Sequence, residues 1–326
     1  MTGGDPLRVG VIGATSWVAT DAVLPALVAS PRTQLVAVAS RDASAAAAVT
    51  ARFGAAHHFG DYESVVTHPE VEAVYVPLPN WAHRRWTEEA AAAGKHVLCE
   101  KPLAPTAAEA AAMTNACRDA NVVLMEAYMT PFHPRAEAVA AVLETGVLGR
   151  PRFARSAFTF PLADAANFRW LPEHGGGALL DVGVYCLTPL TDVGGKPRAV
   201  AAHSVVAPSG VDTTFSGWLE FDDGFSAAFV CSFEAPEYQH LEVMGTAATL
   251  RVELPFAGGA GGCRARVHHR DGSVEEVAGP DGDPYVAMVG HFAAVVRGDA
   301  RLRHPPEASV RLLHLVDRMR AAASRA

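Results

Sequence analysis

The sequence predicts an α/β protein in which a doubly wound parallel sheet is followed by an α+β region with a large, mostly antiparallel, open-faced sheet. Up to about residue 125, short apolar runs alternate with alanine-rich stretches of helical character, which is the pattern of repeated strand–helix–strand units. Beyond that point, strand-like segments follow one another with turn residues between them. We therefore expect a first domain over residues 1–125 and a second domain over residues 126–326.

The first region carries clear strand and helix signals. Asp42 can cap a helix that runs to about Phe53, and Gly54 follows its end. Thr106 and Glu109 have the T-x-x-E spacing of a capping box, and another helix, over residues 81–93, is expected to stop at Gly94. Five apolar runs are expected to be buried parallel strands, namely residues 8–12, 35–39, 73–76, 96–99 and 122–125.

The second region is rich in strands and hairpin signals. Asp223-Gly224 and Asp271-Gly272 are typical two-residue hairpin turns. Helices at about 176–192, 284–297 and 306–324 are expected to cover one face of the sheet. The predicted strands are residues 150–160, 198–207, 214–222, 225–234, 238–244, 247–254 and 264–270.

The opposite face of this sheet is expected to need a partner, because it should expose large apolar side chains. We expect a homodimer, or a higher homo-oligomer, formed through the C-terminal sheet. The residues assigned to this face are Trp218, Phe221, Phe229 and Phe233.

Charge and termini exclude several classes of partner. The formal net charge of -8 over 326 residues argues against a nucleic acid or an anionic membrane surface as a partner. No apolar run approaches the length needed to span a bilayer. The N-terminus is short and polar and enters a strand almost at once, so we expect no signal peptide and a cytoplasmic location.

Cysteine and histidine spacing gives no metal signature. The five cysteines are widely spaced without a C-x-x-C pair, which favours reduced, mostly buried thiols. Among the 14 histidines, His57-His58 and His268-His269 are adjacent pairs, but neither pair has metal-ligand spacing to a second ligand. We therefore expect no metal site.

A glycine-containing turn follows the first predicted strand, in the segment GVIGATSWVA of residues 10–19. Gly13 can make the tight turn that lets a dinucleotide pyrophosphate approach the next helix, as in a Rossmann domain. Thr15 and Ser16 can offer hydroxyls or amides to phosphate, and Trp17 belongs to the same turn. The middle glycine of G-x-G-x-x-G is missing, and an ordinary strand–helix turn is the alternative.

The end of the second strand favours NADP(H) over NAD(H). An NAD site usually has an acidic residue there for the ribose 2′-hydroxyl, whereas this chain has Ser40-Arg41 followed by Asp42. A hydroxyl and a guanidinium suit a 2′-phosphate. The alternatives are a surface arginine beside a helix cap, and Asp42 on the ribose of NAD.

Three further segments resemble the Gfo/Idh/MocA family of oxidoreductases, the glucose-fructose oxidoreductase and inositol dehydrogenase group. They are YVPLPNWAH at residues 75–83, KHVLCEKPL at residues 95–103, and NFRW at residues 167–170 followed by GGGALLDVGVY at residues 175–185. The resemblance covers nearly the whole chain. It implies a nicotinamide cofactor held by a Rossmann domain and contacted by Pro77, Leu78, Pro79, Asn80, His83, Glu100, Lys101, Pro102, Tyr128, Arg169 and Trp170. It also implies a cis peptide bond before Pro102.

The same resemblance implies the catalytic groups. Tyr185 is similar to the tyrosine of the family branch that contains dihydrodiol and xylose dehydrogenases and nucleotide-sugar 3-ketoreductases. We expect it to be the general acid/base. A phenol is a poor base near neutral pH unless a cation stabilises its phenolate, and Lys101 can supply that charge and polarise the substrate oxygen. Asp181, four residues before Tyr185, is expected to orient substrate or Lys101.

These residues predict an oxidoreductase that moves a hydride between NADP(H) and a carbon of a sugar or polyol. Oxidation of a free aldose at C1 and reduction of a keto group on a nucleotide-linked deoxysugar are both open. The C-terminal half has no obvious basic or aromatic cluster for a nucleotide, which favours the free sugar. A non-catalytic NADP-binding regulatory protein is the alternative from another class, and the presence of Lys101 and Tyr185 favours the enzyme.

Overall fold

A computed structural model describes residues 5–256, 264–280 and 282–325. The chain divides into two compact units. The first contains the residues up to Met129 together with Asp283–Arg311, and the second contains Thr130–Gly282 and the residues from Leu312 onward. Among the described helices, none is both long and apolar enough to cross a membrane.

The first unit is built on a six-stranded parallel sheet. Its strands are β1 (Leu7–Ile12), β2 (Thr33–Ala39), β3 (His57–Phe59), β4 (Ala73–Val76), β5 (His96–Glu100) and β6 (Leu124–Ala127). They lie in the order β3-β2-β1-β4-β5-β6, and all neighbours are parallel. The predicted doubly wound sheet is confirmed. Its strand order reverses between β1 and β4, and such sheets bind ligands at this point, outside the carboxyl ends of the strands.

Helices cover this sheet because its strands are apolar on both faces. Val11, Val38 and Val74 are fully buried, as expected for parallel strands that have helices on both sides. The helices that follow the strands are α1 (Leu24–Ala29), α2 (Ala43–Phe53), α3 (Glu63–Val66), α4 (His83–Ala92) and α5 (Ala107–Asp119).

The predicted helix caps are present. The Asp42 carboxylate accepts from the backbone amides of Ser44 and Ala45, and Gly54 ends α2 in the left-handed conformation with φ 76°. The Thr106 hydroxyl accepts from the backbone amide of Glu109 at the start of α5.

Strand β3 lies outside the predicted strands. It has only three residues, His57–Phe59, and pairs with β2 at the edge of the sheet. Because the segment contains two histidines and a single apolar residue, no apolar run marks it.

The second unit contains a nine-stranded mixed sheet. Its strands are β7 (Pro151–Thr159), β8 (Ala199–Val206), β9 (Asp212–Glu220), β10 (Ser226–Ser232), β11 (Tyr238–Gly245), β12 (Ala248–Glu253), β13 (Ala265–His269), β14 (Val274–Val277) and β15 (Ala323–Arg325). They lie in the order β14-β13-β12-β11-β7-β10-β9-β8-β15. Neighbours are antiparallel except β7 with β10 and β8 with β15, so the predicted, mostly antiparallel sheet is confirmed.

Both predicted hairpin turns join neighbouring antiparallel strands. Asp223-Gly224 connects β9 to β10, and Asp271-Gly272 connects β13 to β14. Asp223 has φ 60° and Gly224 has φ 73°, which is the backbone conformation that favours such dipeptides in short hairpins. Strand β14 itself lay outside the predicted strands, although its turn was predicted.

The described residues contain four further α-helices: α6 (Pro134–Glu144), α7 (Val184–Gly194), α8 (Pro284–Val296) and α9 (Pro306–Ala322). Helix α7 follows a π-helical turn, Leu179–Gly183, and packs on β7 and β10. The sequence analysis did not predict α6.

The expectation that helix 284–297 covers the second sheet is wrong. Helix α8 packs against α1 and β2 of the first unit. Just after α8, the Arg297 guanidinium bonds both carboxylate oxygens of Glu72, at 3.0 and 2.9 Å. These bonds and the nearby Arg8 hold the pKa of Glu72 down to about 2, although partial burial opposes the shift. Helical periodicity marks this element but does not identify the sheet on which it packs.

The assignment of four aromatic residues to the open face of the second sheet is also wrong for three of them. Phe221, Phe229 and Phe233 are only 2–4% exposed, and Phe221 packs beside Gly194 of α7. Trp218 is 42% exposed on the opposite face. Trp218 of β9 pairs with Ala228 of β10. Because side chains alternate between faces along a strand, Phe229, the next residue of β10, lies on the face opposite Trp218.

The cysteines in the described residues are buried thiols: Cys99, Cys117, Cys186 and Cys231. Burial raises the thiol pKa of each one, which makes them poor nucleophiles. Cys263 lies outside the described residues.

Candidate active site

The nucleotide-binding residues predicted in the first unit lie on loops at one edge of the parallel sheet. Each group follows the carboxyl end of a strand: residues 13–17 after β1, 40–41 after β2, 77–80 after β4, 100–102 at the end of β5 and Tyr128 after β6. The structure therefore brings these residues to the edge where doubly wound sheets bind dinucleotides.

Gly13 is required by the turn after β1. Its φ is +65°, and a Cβ there would lie 2.5 Å from the Leu78 Cδ2 atom, so a larger residue would push the loop after β4 away. The Ala14 amide donates to the Ala39 carbonyl at 3.0 Å, which ties the turn to the end of β2. The Ser16 hydroxyl accepts from the Ala19 amide at 3.3 Å, and the Trp17 side chain is 76% exposed.

After β2, Asp42 caps a helix, whereas Ser40 and Arg41 are the candidate contacts to the cofactor. The Asp42 carboxylate caps α2 and also accepts from the Ser44 hydroxyl at 2.6 Å. These bonds lower the pKa of Asp42, and the bond from the Ser44 hydroxyl has the largest effect. Ser40 is buried and its hydroxyl oxygen accepts from the Asp42 amide, whereas Arg41 is exposed. Because Asp42 Oδ1 accepts all three of these bonds at the start of α2, this arrangement favours Ser40 and Arg41 over Asp42 as the groups that meet the ribose.

Tyr62 is a neighbour of Arg41 that sequence reasoning missed. Burial raises the pKa of Tyr62, and the adjacent Arg41 guanidinium opposes that rise. The Tyr62 ring meets Trp86 edge-on with 5.1 Å between ring centroids. Tyr62 follows the carboxyl end of β3, where a site residue can be expected, but β3 itself was not predicted from the sequence.

His83 links the loops after β4 and β5 from inside the unit. It is fully buried. Its Nε2 lies 2.7 Å from the Leu78 carbonyl oxygen, and its Nδ1 lies 3.1 Å from that of Pro102 and 3.3 Å from that of Leu103. Burial lowers the pKa of His83, while these bonds oppose the shift. Its side chain thus supports the two loops that carry predicted cofactor contacts, including the buried Asn80.

Glu100 lies directly before Lys101 at the end of β5. It is buried, and its carboxylate accepts from the Tyr75 hydroxyl at 2.7 Å and from the Lys101 amide at 3.1 Å. Burial raises the pKa of Glu100 to about 7, although these bonds and the Lys101 charge oppose the shift. Lys101 is half-buried, and the Lys101–Pro102 peptide bond is cis, as the family resemblance implies.

Glu126 is a second buried carboxylate that supports the same loop. It accepts from the Leu103 amide at 2.7 Å and from the Ser309 hydroxyl at 2.6 Å, and His304 lies 3.4 Å away. Burial alone would raise the pKa of Glu126, but His304 and Ser309 lower it overall. The His304 ring also meets Tyr128, with 5.7 Å between centroids. The sequence analysis gave Glu126 no role; a glutamate inside a buried strand was the available signal.

In the second unit, Asp181 pairs with Arg169. The Arg169 Nε lies 2.7 Å from the Asp181 Oδ2, and the two side chains are 27% and 10% exposed. Asn167 caps the short 3₁₀ turn that carries Arg169. Sequence reasoning expected Asp181 to contact substrate or Lys101 and did not foresee this ion pair.

Two glycines let the segment of Arg169 lie against the helix that carries Asp181. A Cβ on Gly176 would lie 2.3 Å from the Arg169 carbonyl oxygen, and Gly177 has φ +108°. The half-buried Asp212, which sequence reasoning missed, accepts from the Leu179 amide at 2.6 Å and satisfies the start of this helix. Burial raises the pKa of Asp212.

Tyr185 lies on α7 in an aromatic environment. It is 7% exposed, and its ring meets Phe158 and Phe256 with centroid distances of 5.5 and 5.7 Å. Trp170 packs edge-on against Phe233 at 5.7 Å, and its indole N–H donates to the Asp164 carbonyl at 2.9 Å. The structure thus gathers the predicted site residues of this unit around α7 and the 3₁₀ turn before it.

Comparison with known proteins agrees with this architecture. Residues 7–128 match the model of an oxidoreductase family with an NAD-binding Rossmann fold, and residues 136–251 match a GFO/IDH/MocA C-terminal domain. The chain is 37% identical over 310 residues to D-xylose 1-dehydrogenase (NADP(+)) 2 of Haloferax volcanii, covering 94% of each chain. It is 35% identical over 331 residues to a dTDP-3,4-didehydro-2,6-dideoxy-alpha-D-glucose 3-reductase of Streptomyces violaceoruber, covering 97% of this chain and 95% of that one.

A solved structure shares the whole fold. The 3-ketoreductase KijD10 of Actinomadura kijaniata, in complex with NADP and TDP-benzene, matches with a TM-score of 0.92 and 32% identity over 98% of both chains. A dinucleotide-binding sheet followed by an open-faced sheet defines a class of two-domain oxidoreductases. Within that class, this chain belongs to the Gfo/Idh/MocA family.

The close approach at Gly176 generates a prediction. Gly176→Ala should destabilise the protein by about 1–3 kcal/mol, because the new methyl group overlaps the Arg169 carbonyl. Gly290→Ala is the matched control: Gly290 lies within α8 and a Cβ there would meet only Ser30 Oγ, at 3.7 Å. The control should be neutral or slightly stabilising. Urea unfolding of both variants measures the difference, and equal stability would contradict the packing described here.

Proposed function

We propose that this protein is an NADP(H)-dependent oxidoreductase that transfers a hydride between nicotinamide and a hydroxyl-bearing or carbonyl carbon of a sugar or polyol. The observation that carries the proposal is the set of loops at the carboxyl edge of the parallel sheet, with Gly13, Arg41 and Lys101 on three of them. Membership in an oxidoreductase family and NADP-dependent relatives support it. They favour an enzyme over a non-catalytic NADP-binding protein.

Residues of the first unit would hold the cofactor. The turn at residues 13–17 offers backbone amides and hydroxyls to the pyrophosphate, and Ser40 and Arg41 meet the 2′-phosphate. Asp42 supports this assignment, because its carboxylate is engaged as a helix cap. The loops at residues 77–80 and 100–102, with Tyr128, would line the nicotinamide half. His83 acts by supporting these loops rather than by contacting the cofactor, since both its ring nitrogens face backbone carbonyls.

Tyr185 transfers the proton in this proposal, and Lys101 supplies the supporting positive charge. When bound, the nicotinamide supplies or accepts the hydride. In the direction of reduction, the Tyr185 hydroxyl gives its proton to the substrate oxygen, and in the direction of oxidation it takes that proton back. The Lys101 ammonium favours the phenolate of Tyr185 and polarises the substrate oxygen. Tyr75 and Glu100 hold the backbone on which Lys101 sits.

Arg169 and Asp181 form the orienting element of the second unit. Because Asp181 is almost buried and paired with Arg169 at 2.7 Å, the carboxylate fixes the guanidinium in one direction. A guanidinium held in a fixed orientation is suited to donate hydrogen bonds to hydroxyl groups of a sugar.

Two substrate classes are consistent with this proposed function, and we favour a free aldose oxidised at C1. The second unit offers no obvious basic cluster for a nucleotide in the sequence, and the xylose dehydrogenase relative covers 94% of the chain at 37% identity. A keto group on a nucleotide-linked deoxysugar is the second candidate, which the structural likeness to KijD10 favours. Turnover of D-xylose with NADP⁺, compared with turnover of a dTDP-linked 3-keto sugar with NADPH, distinguishes them.

We also propose a homodimer formed through the open face of the nine-stranded sheet. Trp218 is 42% exposed there and stacks on Phe153 at 5.6 Å, and Val205 and Tyr238 are exposed on the same sheet. Trp218→Glu should weaken the dimer, because a buried, unpaired carboxylate is costly. Sedimentation should show a dimer for the parent and a larger monomer fraction for the variant; a monomeric parent would contradict the proposal.

The phosphate site gives a cofactor prediction. Arg41→Ala should weaken NADPH binding by about tenfold to a hundredfold, the loss of one charge-assisted bond, and should leave NADH binding nearly unchanged. Arg52→Ala, on the exposed surface of α2, is the control for lost positive charge. Fluorescence titration with both nucleotides measures the effect. An equal loss for NADPH and NADH would contradict the assignment.

The catalytic pair gives the main functional prediction. Lys101→Ala and Tyr185→Phe should each lower kcat by about 10²–10⁴-fold while NADPH binding persists in Tyr185→Phe. The matched controls are Lys196→Ala and Tyr238→Phe, both at exposed positions, which should keep parental turnover. Steady-state rates on the better of the two substrates provide the test, and unchanged turnover in either catalytic variant would overturn its role.

A further inference from the structure

A cluster of possible metal ligands lies away from the proposed cofactor loops. His57 begins β3, and His68 and Glu70 lie in the turn between α3 and β4. One ligand atom from each residue lies within 4.8 Å of the others. The His57 Nε2 is 3.2 Å from the Glu70 Oε2, and the His57 and His68 rings are 4.6 Å apart.

One of these distances matches the geometry of a tetrahedral metal centre. Bonds of about 2.0–2.1 Å to zinc place neighbouring ligand atoms about 3.3 Å apart. The His57–Glu70 pair already has this separation, and the ligand atom of His68 lies within 4.8 Å of the other two, so it would have to move closer when an ion binds. Two imidazoles and one carboxylate form a donor set that zinc and other late first-row divalent ions accept.

The surroundings make the cluster accessible and partly preorganised. His57 and His68 are half-buried and Glu70 is exposed, so an ion can reach all three from solvent. Both imidazole rings pack near Phe59, with centroid distances of 6.4 and 5.7 Å, which limits their orientations. The Glu70 amide donates to the His68 Nδ1 at 3.2 Å, so ion binding through either ring nitrogen would change this local bond. The Glu70 carboxylate supplies the negative charge.

Sequence spacing hid this site. The pair His57-His58 has no second ligand at the usual short spacing, because His68 and Glu70 follow His57 by 11 and 13 residues. The fold brings the three residues close together, because both His57 and the turn at residues 67–72 lie at the amino ends of parallel strands. This is the sheet edge opposite the nucleotide loops.

We propose that His57, His68 and Glu70 bind one divalent late first-row transition-metal ion, with water in the fourth position. The ion cross-links β3 to the turn before β4 and stabilises this edge of the first unit. A His57–Glu70 hydrogen bond alone would need only two of the three residues, and so the dependence on His68 separates a metal site from a simple polar pair.

The test is zinc binding by the chelator-treated full chain at neutral pH, followed by calorimetric titration. We expect one ion per chain, and a Tm that rises by about 2–5 °C when zinc is in excess. His57→Ala, His68→Ala and Glu70→Gln should each weaken binding by at least about tenfold and remove the Tm increase. His58→Ala is the matched control, because this exposed histidine adjoins His57 outside the cluster; it should bind zinc like the parent.

NADPH titration of each variant verifies that the first unit remains folded, and Glu70→Gln is the mildest change if an alanine variant unfolds. Absence of zinc binding by the parent would overturn the proposal. Parental affinity in His68→Ala would overturn it as well, even if the other two variants bound zinc weakly.

Discussion

The buried hydrogen bonds of His83 and Glu126 are the constraint on which the nucleotide-binding edge depends. Loops at the ends of parallel strands carry backbone groups that the sheet does not pair, and such groups need partners once they are buried. His83 meets carbonyl oxygens of the loops after β4 and β5, and Glu126 accepts from the Leu103 amide. These two side chains fix the backbone around Lys101. The functional loops are therefore supported from the protein interior, as an accurately placed site requires.

In the second unit, two glycines and one carboxylate position the backbone around Arg169. Gly176 and Gly177 allow the backbone at Arg169 to approach the helix start, and Asp212 satisfies an amide there. Arg169 then pairs with Asp181 inside a π-helical turn, a feature that often marks functional sites. Tyr185 follows on α7, where its ring contacts the stacked rings of Phe158 and Phe256. In both units, residues outside the proposed catalytic pair position the backbone that carries the candidate site residues.

Much of this could be predicted from the sequence, because strong local signals and motifs survive folding. Apolar runs predicted most of the strands, capping residues predicted several helices, and motifs indicated Lys101 and Tyr185 as candidate catalytic residues. Short or edge elements such as β3 escaped, since His57–Phe59 has no apolar pattern. Tertiary contacts were not predicted either. They include the sheet on which α8 packs, the burial of Phe229, and the partners of Glu126 and Asp181. Such contacts join residues far apart in the chain, and no local spacing encodes them.

The most direct test of the central claim, hydride transfer between a sugar carbon and NADP(H), follows a deuterium label. D-Xylose carrying deuterium at C1 is incubated with NADP⁺ and the purified protein, and the nicotinamide product is analysed by mass spectrometry and NMR. Direct hydride transfer should move the deuterium to the nicotinamide ring with one stereochemistry and without dilution by solvent. Reduced nucleotide that lacks the label, or no turnover of either D-xylose or a dTDP-linked keto sugar, would contradict it.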